Sequence, residues 1–178
     1  MKLILIDGGP ASGKNTLGEL VVSKLKNFGE KAILLDLDFY VEGYNPKWIW
    51  DSSEQKEKDQ LNARKNIVRD IEKYLLENFI VIVIGERFLT INDVEKFLFE
   101  LKTKYPIYLY HLNTPFSLRE KRLRERGPHS LIDLERDQED RDKIVNWPGI
   151  IYENTHTPDI DASNLMSLIQ DNKGRIFT

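Results

Sequence analysis

The chain has 178 residues, 40% hydrophobic and 31% charged, with a formal net charge of −3 and no cysteine. That length fits one domain with a sizeable core; the missing cysteines exclude a disulfide framework, a thiolate metal site and a cysteine nucleophile, and the acidic balance gives no reason to expect polynucleotide binding. No apolar run approaches the roughly 18 residues of a membrane span, and Met1-Lys2 leads straight into an apolar run, so neither a leader nor a membrane segment is expected and the default compartment is the cytosol.

Lys2-Leu3-Ile4-Leu5-Ile6 is a run of strand formers too short to be a helix before the glycines that follow. Gly8-Gly9-Pro10-Ala11-Ser12-Gly13-Lys14-Asn15-Thr16 comes next, and then Leu17, Leu20, Val21, Leu25 and Phe28 fall at helical spacing up to Gly29. Strand, glycine-rich turn, helix is the context of a nucleoside triphosphate-binding loop. Its backbone N–H groups curl inward, the helix start adds its positive dipole end, and Lys14 supplies a point charge for the β- and γ-phosphates. Asn15 stands where a Ser or Thr usually ligates Mg²⁺. An amide oxygen can ligate too, although hard Mg²⁺ prefers carboxylates, waters and phosphates.

Lys31 to Leu35 reads as a second buried strand, continuing extended through Asp36-Leu37-Asp38-Phe39-Tyr40. Residues 41–55 form a loop rich in aromatics, with Trp48 and Trp50 either clamping a ring or covering the core. Leu61, Ile67, Val68, Ile71 and Leu75 mark a long helix, and Phe79 to Ile84 a central strand buried on both faces, followed by Glu86 and Arg87. A helix carries Val94, Phe97, Leu98, Leu101 and Tyr105, and Pro106 introduces a strand from Ile107 to Tyr110. Pro115 opens a helix bearing Arg119, Arg122, Arg124 and Arg126 that Gly127-Pro128 breaks. Residues 131–145 read as helix, Pro158 to Asp161 as a brief last strand, and Asn164 to Gln170 as a closing helix. Five strands alternating with helices predict a doubly wound α/β fold with a parallel sheet and helices on both faces. The ligand then lies beyond the carboxyl ends of the strands.

Those ends carry the candidate chemistry. On an extended segment Asp36 and Asp38 lie on one side, so one can hold a Mg²⁺ water while the other takes an acceptor proton; turn and cap roles are the alternative. Glu86 sits where a Walker B acid would, ending an apolar strand where a carboxylate needs a cation or water. Eight basic and eight acidic residues lie between Arg119 and Lys143, so any single arginine there is as readily a solvated one. His111, His129 and His156 lack metal-ligand spacing and read as ordinary residues.

Several of these motifs resemble those of P-loop nucleoside and nucleotide kinases. Gly9 to Thr16 is similar to the phosphate loop of adenylate kinases, which also lack the hydroxyl after the lysine. Asp38-Phe39-Tyr40 resembles the Asp-Phe-Tyr segment of uridine kinases, which favours Asp38 as the base. Glu86-Arg87-Phe88 looks like the acid–arginine motif of thymidylate and deoxynucleoside kinases, in which the arginine contacts the acceptor. Arg122 to Gly127 is similar to the entry of an arginine-bearing lid, and Thr157 to Asn164 to the last strand and turn beside the adenine. The resemblance implies a single kinase domain over 1–178, an acceptor-binding segment at about 39–75 and a lid at about 122–142. It implies ATP and Mg²⁺ as cosubstrate and cofactor, Lys14, Asp38, Arg122 and Arg126 as catalytic groups, and residues 8–16 at the nucleotide. Asp38, Tyr40, Trp48 and Arg87 would meet a small acceptor, with Asp36, Glu86 and Asn15 near the metal. Kinases of other small alcohols, such as shikimate or gluconate, share the Asp-x-Asp pattern, and a non-catalytic nucleotide-binding module is the rival from outside the enzymes.

Overall fold

The computed structural model describes residues 1–47, 51–127 and 133–177. Along them run β1 (Lys2–Gly8), α1 (Lys14–Asn27), β2 (Ala32–Asp36), α2 (Leu37–Tyr44), α3 (Ser53–Leu76), β3 (Ile80–Ile84) and α4 (Ile91–Phe97). Then come β4 (Ile107–Asn113), α5 (Phe116–Glu125), α6 (Leu134–Asp142), β5 (Ile150–Glu153), α7 (Pro158–Gln170) and β6 (Arg175–Phe177). No helix among them is long and apolar enough to cross a membrane.

Period-two alternation splits the apolar strands between two cores. Leu3 and Leu5 of β1, Val81 and Val83 of β3 and Leu109 of β4 face one side, against Val41 of α2, Ile67 and Ile71 of α3 and Val94 of α4. Ile4 and Ile6, Ile82 and Ile84, and Tyr108 and Tyr110 face the other, against Leu17 and Val21 of α1 and Leu165 and Ile169 of α7. Such strands bury both faces and therefore need helices above and below.

The five parallel strands lie in the order β2-β3-β1-β4-β5, the doubly wound arrangement expected. β1 is central, with Leu3 beside both Val81 and Ile107. The order reverses there, so the loop leaving β1 opens at the switch point where such sheets bind ligands.

Four local expectations are corrected. The segment after Asp36 is not extended but forms α2, because Asp36 caps it by accepting from the Asp38 amide at 3.1 Å and Leu37 and Val41 bury one helical face. The last parallel strand lies at Ile150–Glu153, not at 158–161, where Pro158 instead opens α7 at a position that needs no N–H. The helix after β3 stops at Phe97, short of Tyr105. Finally, β6 adds an antiparallel partner to the first half of β4.

Candidate active site

The loop between β1 and α1 is held from three sides. Gly13, in the left-handed conformation at φ 96°, starts α1, and the Ser12 amide donates to the Gly9 carbonyl at 3.1 Å. Asn154 Nδ2 and Thr114 Oγ1 both donate to the Ser12 carbonyl, at 2.7 and 3.1 Å, and Arg122 donates to the Ala11 carbonyl at 3.1 Å. Lys14 Nζ folds back onto the Gly8 and Gly9 carbonyls at 2.7 and 3.2 Å. Burial lowers the pKa of this amine, Arg141 adds to that, and Asp7, Asp38 and Asp137 oppose it.

Asn15, exposed at the start of α1, donates through Nδ2 to Asp36 Oδ2 at 2.7 Å. That bond leaves the Asn15 amide oxygen free, with no partner among the described residues. Asp36 is nearly buried, and Gly85 is why it fits. At φ +89° Gly85 has a backbone that side chains rarely adopt, and a Cβ there would lie 2.5 Å from Asp36 Oδ1 and 2.8 Å from the Leu37 nitrogen. Asp38, in the first turn of α2 and at the open rim, is pushed up to about 6 by desolvation against the cleft and by the charges of Asp36, Glu42 and Glu86, opposed by Lys14.

Glu86 is engaged on both oxygens, by Arg64 Nε of α3 at 2.5 Å and by the Arg87 amide at 3.1 Å. Arg87 itself reaches toward α6, 3.4 Å from Asp140 and 3.6 Å from Asp137. Tyr40 does not face this cleft: its hydroxyl donates to Asp70 of α3 at 2.7 Å and its ring packs on the core. Trp48, like Trp50 and His129, lies outside the described residues. Of the arginines expected to reach phosphate or lie near them, Arg122 and Arg126 stand at the loop, whereas Arg124 pairs with Glu120 on an outer face at 2.8 Å.

The sequence reading missed a buried network behind the loop. Asp7, fully buried at the end of β1, accepts from Arg141 of α6 twice, at 2.7 and 3.1 Å, and lies 3.0 Å from His111 Nδ1. Burial disfavours its charge, but His111 and Arg141 outweigh this and hold its carboxyl far below the ordinary range. Asp137 accepts from Arg119 at 3.1 Å and from Arg141 at 3.0 Å. These groups press α5 and α6 onto the loop so closely that a Cβ on Gly9 would meet Arg119 and sit 2.5 Å from Asp137 Oδ2. The sequence signal for part of it was the i,i+4 spacing of Asp137 and Arg141, which puts them on one face of α6.

Two clefts flank the loop. One, of about 480 Å³, brings together Lys14, Asn15, Asp36, Asp38, Glu86, Arg87 and Arg126. The other, of about 350 Å³, lies between Arg122 of α5, Arg126 just past its end, and the turn carrying Asn154, His156 and Pro158. The first offers oxygen donors only, as Mg²⁺ requires, and among the described residues no three acidic or histidine side chains form a ready-made cage.

Comparison with known proteins bears out the fold. The sequence profile of the family described as chromatin associated protein KTI12 matches residues 1–87. A search of curated proteins finds no match. Shikimate kinase from Aquifex aeolicus superposes with a TM-score of 0.62 at 18% identity, covering 97% of this chain and 98% of that one. The Mycobacterium tuberculosis APS kinase, solved with AMPPNP and APS, gives 0.64 at 17% identity over 95% and 97%. A gluconokinase from Sinorhizobium meliloti gives 0.60 at 14% identity over 96% and 94%. The chain has the P-loop kinase fold.

Proposed function

We propose that this protein transfers the γ-phosphate of ATP to a hydroxyl of a small acceptor, with nucleosides and nucleoside monophosphates as the first acceptors to try. The observation that carries the reading is the convergence of Lys14, Asn15, Asp36 and Asp38 on one cleft at the ends of β1 and β2. Phosphoryl transfer asks for positioning and charge neutralisation more than for covalent chemistry. The triphosphate would lie along the loop amides, with Lys14 exchanging its carbonyl partners for β- and γ-oxygens. Asn15 and Asp36 would hold Mg²⁺, which when bound neutralises charge on the phosphate oxygens. Asp38 would accept the acceptor's proton as the new oxygen–phosphorus bond forms and the bond to the β-phosphate oxygen breaks, releasing ADP. Arg126 and Arg87 would stand over the transferred group, Arg87 on the acceptor side.

Two observations favour other readings. Likeness to shikimate kinase and gluconokinase supports a different small alcohol as acceptor. The match of residues 1–87 to a family described only as chromatin associated, together with Arg87, Arg119 and Arg141 all being paired with carboxylates, supports a nucleotide-binding module that transfers nothing. ADP release from ATP, measured alone and with panels of nucleosides, nucleotides and sugar acids, separates the three. Acceptor-dependent release that falls at least about a hundredfold in Asp38→Asn, at unchanged ATP affinity, is the expected result. ATP binding without release against every panel would refute transfer.

A further inference from the structure

If the transferred phosphate is placed between Lys14 and Asp38, as proposed above, the nucleoside of the triphosphate falls on the other side of the loop. The cleft there, between α5 and the turn after β5, has about 350 Å³, within the range of roughly 300–1,000 Å³ usual for small-molecule sites. Its polar lining includes Arg122, Glu125, Arg126, Asn154 and His156. Arg122 is bonded to the Ala11 carbonyl and Asn154 to the Ser12 carbonyl. His156 differs in being held from behind and open in front.

The holding group is Asp161, in α7 and fully buried. Its Oδ2 accepts from the His156 amide at 3.0 Å, and its Oδ1 accepts from the Tyr152 hydroxyl at 2.7 Å and lies 3.0 Å from His156 Nδ1. A carboxylate only accepts, so Nδ1 carries a hydrogen, and in the neutral imidazole that leaves the lone pair on Nε2. The side chain is 56% exposed, and Nε2 has no partner among the described residues. An acceptor is therefore presented to the cleft, with its tautomer set by a buried residue.

We infer, resting on the nucleotide-binding reading above, that His156 is a specificity-determining residue that favours a base with an exocyclic amino group, the 6-amino of adenine, over one with a 6-oxo group. An amino hydrogen can be donated to Nε2. A 6-oxo oxygen would face that lone pair as a second acceptor, leaving two desolvated acceptors opposed. Tyr152 and Asp161 are positioning residues in this arrangement.

Adenosine and inosine triphosphates differ in the 6-amino against the 6-oxo group and in the neighbouring N1, an acceptor in adenine and an N–H donor in hypoxanthine; they are the probes, with a His156 variant isolating the contact to Nε2. Dissociation constants of the full chain for each, by titration calorimetry with Mg²⁺ at pH 8, should favour ATP by at least about fivefold in the wild type. In His156→Leu the ratio should fall to within about twofold of unity. Asp161→Asn, whose amide can turn its NH₂ toward Nδ1 and free the other tautomer, should narrow the ratio as well. An equal affinity for the two in the wild type, or an unchanged preference in His156→Leu, overturns the inference while leaving the loop's function intact. Binding of neither nucleotide overturns it together with the reading on which it rests.

Discussion

Replacing Asp7 by Asn is the sharpest probe of how the loop is held. Asp7 Oδ2 meets both His111 Nδ1 and Arg141, and Oδ1 accepts the second guanidinium nitrogen of Arg141 at 3.1 Å. An asparagine must keep its oxygen at the first position to serve both partners, which points its NH₂ at an arginine donor. The substitution removes a charge from beneath Arg141 and replaces one charge-assisted bond with a donor–donor contact. Breaking a buried pair costs about 3–5 kcal/mol, and the remaining bond from Arg141 to Asp137 places this case at about 3. For a chain of this size that is a fall in melting temperature of about 6–12 °C. Urea unfolding of wild type, Asp7→Asn, Arg141→Met and the double variant at pH 7 measures the loss and the coupling together. The depressed carboxyl of Asp7 gives the sign with pH: its stabilisation is complete above the ordinary carboxylate pKa near ~4 and is lost as pH falls below it. Wild type and Asp7→Asn should therefore converge in acid. A loss under about 1 kcal/mol at pH 7, or no coupling, would refute the argument.

Asp38, raised to about 6, should appear as an acid limb in kcat/KM, with activity rising through pH 6 to a plateau; a profile flat from pH 5 to 8 would remove it as the base. The same shift works against the folded state: between roughly pH 4 and 6 native Asp38 holds a proton that the unfolded chain has lost, so its contribution declines as pH rises through that window. Gly85→Ala should destabilise by about 2–4 kcal/mol, from a positive φ and a Cβ forced against Asp36 and α2, and a neutral result in urea unfolding would contradict the packing described. Asn15→Leu removes the donor to Asp36 and the free amide oxygen, and should raise the Mg²⁺ needed for half-maximal turnover by roughly tenfold or more; Asn15→Ser should not. Identical Mg²⁺ titrations for wild type and Asn15→Leu would exclude that role.

The parts of the site carried by neighbouring residues were readable from the sequence. A five-residue apolar run before a glycine-rich turn and a periodic helix locate the loop, and two-sided burial of Leu3 to Ile6 follows from the lack of any polar alternation there. Asp36 and Asp38 were placed at the right strand end but on the wrong backbone. The helical spacing of Leu37 and Val41 was present, and short aromatic-rich segments satisfy strand and helix templates alike. Ile150-Ile151-Tyr152, the actual edge strand, is only four residues long with its glutamate and was passed over for Pro158. The Asp7 network was beyond reach, since its partners His111 and Arg141 lie 104 and 134 residues away and no local pattern announces them. For the same reason His111, read as ordinary, is a buried strut, bonded also to the Pro148 carbonyl at 2.6 Å.

The central place of β1 also bears on how the chain reaches this state. Its two neighbours come much later in the chain, Leu3 pairing with Val81 on one side and with Ile107 on the other. During synthesis the Leu3 to Ile6 segment emerges with neither, and its hydrogen-bonding edges stay unfilled until β3 and then β4 have been made. Closing such separations costs loop entropy before any pairing compensates it, so the sheet should assemble slowly from its middle. The segment that later bears the phosphate loop is thus the one exposed longest as a bare apolar strand, where a chaperone or a second nascent chain would first find it.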